Sequence, residues 1–264
     1  MRKAYLIAAP GWTHISSGPR ALHWLCHYLN EAGEDAYILP QSGKDFALNP
    51  KLKTKLISPE YANYYGEDMV VVYPDVIKGN PVGAKYVCRW LLAPAGLYGG
   101  DSTFPETDKV WCYRSDIAMQ QKTDKILLIP TINPSLFFDK KLERHGTCYY
   151  AHKFDKIHNN VLPDIVKGST RLEGSPEYIA SVLQRSEKMY LLEPSEIYIH
   201  ALMCGCSVEE VRSHYFPKSV EHLDCVKDGV LISVEEMMEI SKIQLQRFIE
   251  DTQVWTISHP NRGQ

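Results

Sequence analysis

The chain has 264 residues, 44% hydrophobic and 23% charged, with 16 Gly, 16 Pro and a formal net charge of −3. That composition excludes disordered, collagen-like and low-complexity classes, and the lack of a broad basic field disfavours non-specific binding to nucleic acid or anionic membrane. At roughly 150 residues per domain, the length suits two domains with a core each.

The start, Met1-Arg2-Lys3 followed by apolar residues 4–8, is too short for a signal-peptide core. No stretch approaches the ~20 apolar residues of a membrane span, so a soluble protein without a transmembrane segment is expected. The cysteines, at 26, 88, 112, 148, 204, 206 and 225, are odd in number and sit mostly in apolar runs. They read as reduced buried thiols, and a cytoplasmic location follows as the expectation.

In chain order, residues 4–9 read as a buried strand, 10–18 as a loop and 19–31 as a helix. Leu22, Leu25, Cys26 and Leu29 lie on one helix face, Pro19 suits the first turn and Gly33 is the stop. A second strand at 35–39 completes a strand–helix–strand unit, which fixes the class as α/β with parallel strands. Residues 69–74 are strongly β-prone; a Gly/Asn/Pro loop at 79–81 and a helix over about 82–92 are predicted to follow. Short strands at 110–113 and 126–129 close the first sheet. The charged segment 139–146 is the best linker, giving domains 1–143 and 144–264. In the second, 147–151 and 188–192 read as strands and 176–187 and 195–203 as helices, with Ser175 an N-cap and Gly205 a stop. A capping-box pattern at 233–236 opens a last helix to about 251, which is free to pack back on the first domain.

Three loops fall at predicted strand ends, where open α/β sheets bind ligands. The first, Gly11-Trp12-Thr13-His14-Ile15-Ser16-Ser17-Gly18, leads into a helix N-terminus and offers backbone access to a sugar or phosphate, although it lacks Gly-x-Gly-x-x-Gly and equally reads as a flexible turn. The second carries Asp75, either a turn cap or a carboxylate with chemistry. The third, Glu193-Pro194-Ser195-Glu196, precedes a helix, with Ser195 either an N-cap or an anion contact and the acids opposing an anion. Cys204-Gly205-Cys206 has no companion metal-ligand cluster, and His23 with His27 reads as a helix-surface pair, so no metal site is expected. No nucleophile elbow is present.

Taken in order, these segments resemble nucleotide-sugar-dependent glycosyltransferases of the GT-B architecture, in a short form related to bacterial polysaccharide-building enzymes. The run 17–33 looks like that family's first loop and helix. Tyr73-Pro74-Asp75, Gly79-Asn80-Pro81, Ala84-Lys85 and Arg89-Trp90-Leu91-Leu92 are similar to its segment YPE-x-x-x-GNP-x-x-AK-x-x-x-RWLL, and residues 195–206 are similar to its donor helix, TA-x-x-x-EA-x-x-CGCP.

The resemblance implies two facing Rossmann-like domains with a reduced second one, acceptor on the first, nucleotide-sugar on the second and reaction in the cleft. No cofactor is required beyond the donor, expected to be a UDP-sugar. Donor contacts fall on Tyr150, Lys153, Glu193, Ser195, Glu196 and His200, with Lys153 and Ser195 facing the diphosphate. Ser17, Gly18 and Arg20 form the acceptor or sugar loop. Asp75 and His14 are the candidates for a general base in an inverting reaction. Two columns depart from the family: His200 replaces the Glu that holds ribose hydroxyls, and Ser207 replaces the Pro. A neutral His makes one hydroxyl contact without charge assistance. The expected acceptor is a glycan or lipid-linked oligosaccharide. Hydroxymethylated bases in phage DNA, a non-catalytic sugar or nucleotide-binding module and a scaffolding subunit are the alternatives.

Overall fold

The computed structural model describes residues 2–14, 16–41, 46–65, 68–193, 195–213, 226–227 and 230–258. The chain divides into two compact units: Met1–Thr131 with Glu235–Gln264, and Ile132–Val234. Each holds a parallel sheet, so the protein is α/β with two Rossmann-like sheets of five and four strands. Among the described residues no helix is long and apolar enough to cross a membrane.

In the first unit, β1 (Tyr5–Ala9) is buried along its length. Its two-residue period sends Tyr5, Ile7 and Ala9 to one face and Leu6 and Ala8 to the other, so both faces need cover. Helix α1 (Ser17–Glu31) covers the first face with Leu22, Leu25, Cys26 and Leu29, each buried leucine contributing about 1.5–3 kcal/mol. It stops at Gly33, whose φ of +84° lets the Glu34 N–H return to the Leu29 carbonyl at 3.0 Å. After β2 (Ala36–Pro40), α2 (Pro59–Tyr65) crosses the opposite face, burying Ala62, and leads to β3 (Val70–Pro74). With β4 (Tyr86–Leu91) and β5 (Lys109–Cys112) the order is β2-β1-β3-β4-β5, all parallel, and the chain reverses its winding between β1 and β3.

The helix expected over 82–92 is a correction: that stretch contains β4. Tyr-Val-Cys-Arg-Trp-Leu is rich in aromatic and β-branched residues and is buried on both faces, so packing between β3 and β5 overrides any helical tendency. Residues 75–85 join the two parallel strands through turns. Asn80 braces them, accepting from the Tyr73 hydroxyl at 3.0 Å and the Ala84 N–H at 3.0 Å while donating to the Ala84 carbonyl at 2.9 Å. The strand expected at 126–129 is reduced to one bridge, Ile126 to Cys112, beside α3 (Ser115–Gln120), although Leu127 and Ile129 are buried.

The second sheet, β6 (Thr147–Tyr150), β7 (Thr170–Arg171), β8 (Lys188–Leu191) and β9 (Ser207–Glu210), has the order β7-β6-β8-β9, all parallel. Its helices are α4 (Lys153–Ile157), α5 (Pro176–Leu183) and α6 (Ile197–Met203). The Ser175 hydroxyl caps α5, taking the Tyr178 N–H at 3.2 Å, and Gly205 at φ +72° follows α6, as expected. The charged segment expected to be a linker is tied into this unit. Arg144 donates to the carbonyls of Leu183 (3.2 Å), Ser186 (3.0 Å) and Cys204 (2.5 Å), serving the ends of α5 and α6 together.

Beyond the small ladder of β10 (Val226–Lys227) and β11 (Val230–Leu231), α7 (Val234–Ser258) belongs from Glu235 onward to the first unit. Phe248 packs on Tyr5 and edge-on against Trp111, with ring centroids 5.9 and 5.2 Å apart. The Asp251 carboxylate accepts from Lys109 Nζ (2.6 Å), Lys125 Nζ (2.8 Å) and Trp111 Nε1 (3.2 Å). Cys26, Cys88, Cys112, Cys148, Cys204 and Cys206 are buried free thiols, while Cys225 lies outside the described residues. Burial pushes the Cys26 and Cys112 thiols up to about 12 and Cys204 to about 11.

Candidate functional site

The first unit's polar loops converge at the carboxyl edge of its sheet, around the β1/β3 switch point. The β1–α1 loop is anchored by the Trp12 N–H on the Ala47 carbonyl at 2.8 Å, and a Cβ at Gly11 would stand 3.1 Å from the Ala47 nitrogen. Helix α1 then begins without a side-chain hydrogen bond from Ser16 and without an acid in its first turn, so Ser17 and Gly18 stand at a positive helix end. Arg20 donates from this turn to the His14 carbonyl at 3.4 Å. A Cβ placed on Gly18 would meet Leu92 Cδ1 at 3.7 Å, which brings the end of β4 beside the helix start.

Asp75 lies at the same edge and is 5% exposed. Its Oδ1 accepts the N–H groups of Leu92 (3.0 Å) and Ala93 (3.2 Å), so it fastens the end of β3 to the end of β4. Gly100 abuts its backbone so closely that an added Cβ would fall 1.8 Å from the Asp75 carbonyl oxygen. Of its two sequence readings, the turn-capping one describes these contacts. The other base candidate, His14, is exposed, with its ring edge-on to Trp12 at 5.9 Å.

His23, predicted to lie on the helix surface, is instead fully buried, which is a correction. Its ring is edge-on to Trp12 at 5.6 Å and stacked on Phe46 at 6.0 Å. Nε2 donates to the Pro10 carbonyl at 2.9 Å, leaving Nδ1 as the buried unprotonated nitrogen, and burial lowers the pKa. His27 is engaged separately, its Nδ1 accepting the Lys53 N–H at 2.9 Å. Among the described residues no group of three or more His, Cys, Asp or Glu is placed to hold a metal ion.

In the second unit the switch point lies between β6 and β8. Tyr150 closes β6 and Lys153 opens α4. Glu193, two residues beyond β8 and 3% exposed, reaches across: Oε2 accepts the N–H of His152 at 2.9 Å and of Phe154 at 2.6 Å. The structure therefore brings Tyr150, Lys153 and Glu193 to one edge, and the main-chain donors beside Lys153 are already engaged by a carboxylate. At the same edge Arg171, ending β7, donates to the Ala151 carbonyl (3.1 Å) and to Asp155 (2.5 Å), and pairs with Glu173. Sequence reasoning missed this group; an ion pair between residues 155 and 171 leaves no periodic mark.

Helix α6 starts later than expected. Its N-cap is Glu196, in helical conformation and without a side-chain cap bond, and the Ser195 carbonyl accepts the Tyr198 N–H at 3.2 Å. Ser195 thus precedes the cap, which corrects the predicted start; Pro194 lies outside the described residues. His200 is 3% exposed, its ring stacked on Phe137 at 4.0 Å and 5°. Comparison with protein-family models and with curated proteins finds no match for the chain.

Proposed function

We propose that the protein is a GT-B-like glycosyltransferase that moves a sugar from a nucleotide-sugar, expected to be a UDP-sugar, to a hydroxyl acceptor such as a glycan or lipid-linked oligosaccharide. The observation that carries this reading is the presence, in one short chain, of two successive parallel sheets that each place polar loops at a topological switch point. On this reading, which the motif resemblance supports, the acceptor would lie at the edge formed by Ser17, Gly18, Arg20 and His14, and the donor at the edge formed by Tyr150, Lys153, Glu193, Ser195 and Glu196. His14 is the base candidate on an exposed side chain, and Asp75 supports the edge on which it stands. Charge on the departing diphosphate would be offset by Lys153.

The test is incubation of the full chain with UDP-, GDP-, ADP- and dTDP-sugars, following release of free nucleoside diphosphate. Slow release without acceptor, accelerated by a glycan acceptor, is the expected result; no binding and no release from any donor would end the proposal. A second reading, a non-catalytic nucleotide-sugar-binding module, is favoured by the packing of His200 against Phe137. Binding with no release, with or without acceptors, would select it.

A further inference from the structure

Resting on the reading just given, we infer that Glu193 is a specificity-determining residue of the donor edge, and that the ligand group it meets is a neutral hydroxyl instead of a phosphate. A parallel sheet whose winding reverses between two strands leaves a crevice at their carboxyl ends, normally offered to a phosphate by the loop amides there. In this sheet those amides are engaged. The N–H groups of His152 and Phe154, immediately after β6, both donate to Glu193 Oε2 from immediately after β8. An anion arriving at this spot would meet a carboxylate and find the nearest donors taken.

The same two bonds fix the direction of the carboxylate. Both fall on Oε2, and among the described residues Oε1 takes no hydrogen bond. A side chain 3% exposed and held by two main-chain donors has its rotamer settled before a ligand arrives, so no conformational freedom is lost on binding. Its remaining oxygen is an acceptor only, which selects a partner that donates. A sugar or ribose hydroxyl fits, and the carboxylate gives it a charge-assisted hydrogen bond.

The experiment is calorimetric titration of the full chain, wild type and Glu193→Gln, with the glucose conjugates of UDP, GDP and ADP, the free diphosphates, 2′,3′-dideoxy-UDP and inorganic pyrophosphate. Glutamine keeps a carbonyl for the two main-chain donors but turns an N–H₂ toward the ligand. The expected result is a loss of about ten-fold in affinity for hydroxyl-bearing ligands, with pyrophosphate bound no less tightly. A loss confined to the glucose conjugates assigns the hydroxyl to the transferred sugar, whereas a loss shared by the free diphosphates and absent for the dideoxy analogue assigns it to the ribose. Unchanged binding of nucleotide-sugars by Glu193→Gln, or an equal loss of affinity for pyrophosphate, overturns the inference while leaving the transferase reading in place; no nucleotide binding by the wild type removes both. Should Glu193→Gln melt early, Glu193→Asp, a methylene shorter, gives the independent measurement and is expected to show the same loss.

Discussion

The guanidinium of Arg144 lies 2.5 Å from the carbonyl oxygen of Cys204, at the point where α6 gives way to Gly205. The same side chain takes the carbonyls of Leu183 and Ser186 at the end of α5 and the Asp139 carboxylate at 2.9 Å. One residue thus satisfies acceptors from two helix ends that would otherwise be left without donors. Arg144→Ala is expected to lower the stability of the second unit by about 2–3 kcal/mol, and Arg144→Lys to recover little, since a single ammonium nitrogen cannot occupy the two positions from which Nη1 and Nη2 reach these acceptors. Urea denaturation of the three proteins checks both statements.

Asp75 separates a structural carboxylate from a chemical one. Asp75→Asn retains an oxygen for the Leu92 and Ala93 N–H groups, whereas Asp75→Ala leaves two main-chain donors unpaired in a buried edge. The alanine variant is expected to lose about 1–3 kcal/mol and the asparagine variant less than half of that. Thermal melts alongside nucleotide-release assays decide the role. An asparagine variant of native stability with no activity would restore Asp75 to the catalytic candidates.

His23 makes the first unit sensitive to mild acid. Burial holds its folded-state pKa below the ordinary 6.5, so the unfolded chain takes up a proton that the folded chain refuses. Stability therefore rises with pH up to about 6.5 and declines as pH drops through and below that value. The buried side of His27 acts in the same direction. Asp139, held down to about 2 by Lys141, contributes stability that is lost only as pH falls below the ordinary carboxylate range, well outside the histidine window. Denaturation at pH 7.5 and 5.5 should show a drop in the wild type that shrinks in His23→Gln.

Asp251 fastens α7 to the edge of the first sheet through Lys109, Lys125 and Trp111. Asp251→Ala leaves two partly buried lysines facing each other without their common counter-charge. A loss of about 1–3 kcal/mol is expected, with faster amide exchange in α7 than in α1. Hydrogen exchange read by mass spectrometry distinguishes this from uniform destabilisation.

Much of the arrangement is legible in the residues themselves. The run 4–9 followed by a one-sided helix and a glycine stop leaves little freedom, because every residue of β1 must be apolar once both faces are covered. Ser175 and Gly205 mark helix boundaries by their own chemistry. The stretch 86–91 misleads because a strand buried on both faces has no alternation, and a short apolar run alone does not distinguish strand from helix. At the carboxyl edge of the second sheet, Glu193 is visible as an acid near a helix, but the partners of its carboxylate, the amides of residues 152 and 154, come from another strand end. The burial of His23 beneath Trp12 and Phe46 is equally a product of chain crossing.

The placement of α7 carries a consequence for how the polypeptide matures on the ribosome. Because Phe248, Leu245 and Ile249 complete the hydrophobic layer laid over β1 and α1, the earlier-made lobe remains unfinished until translation has passed through the whole of the intervening one. The uninterrupted span 132–234 has its described strands in hand first, so the vectorial order of synthesis and the order of completion run opposite to each other.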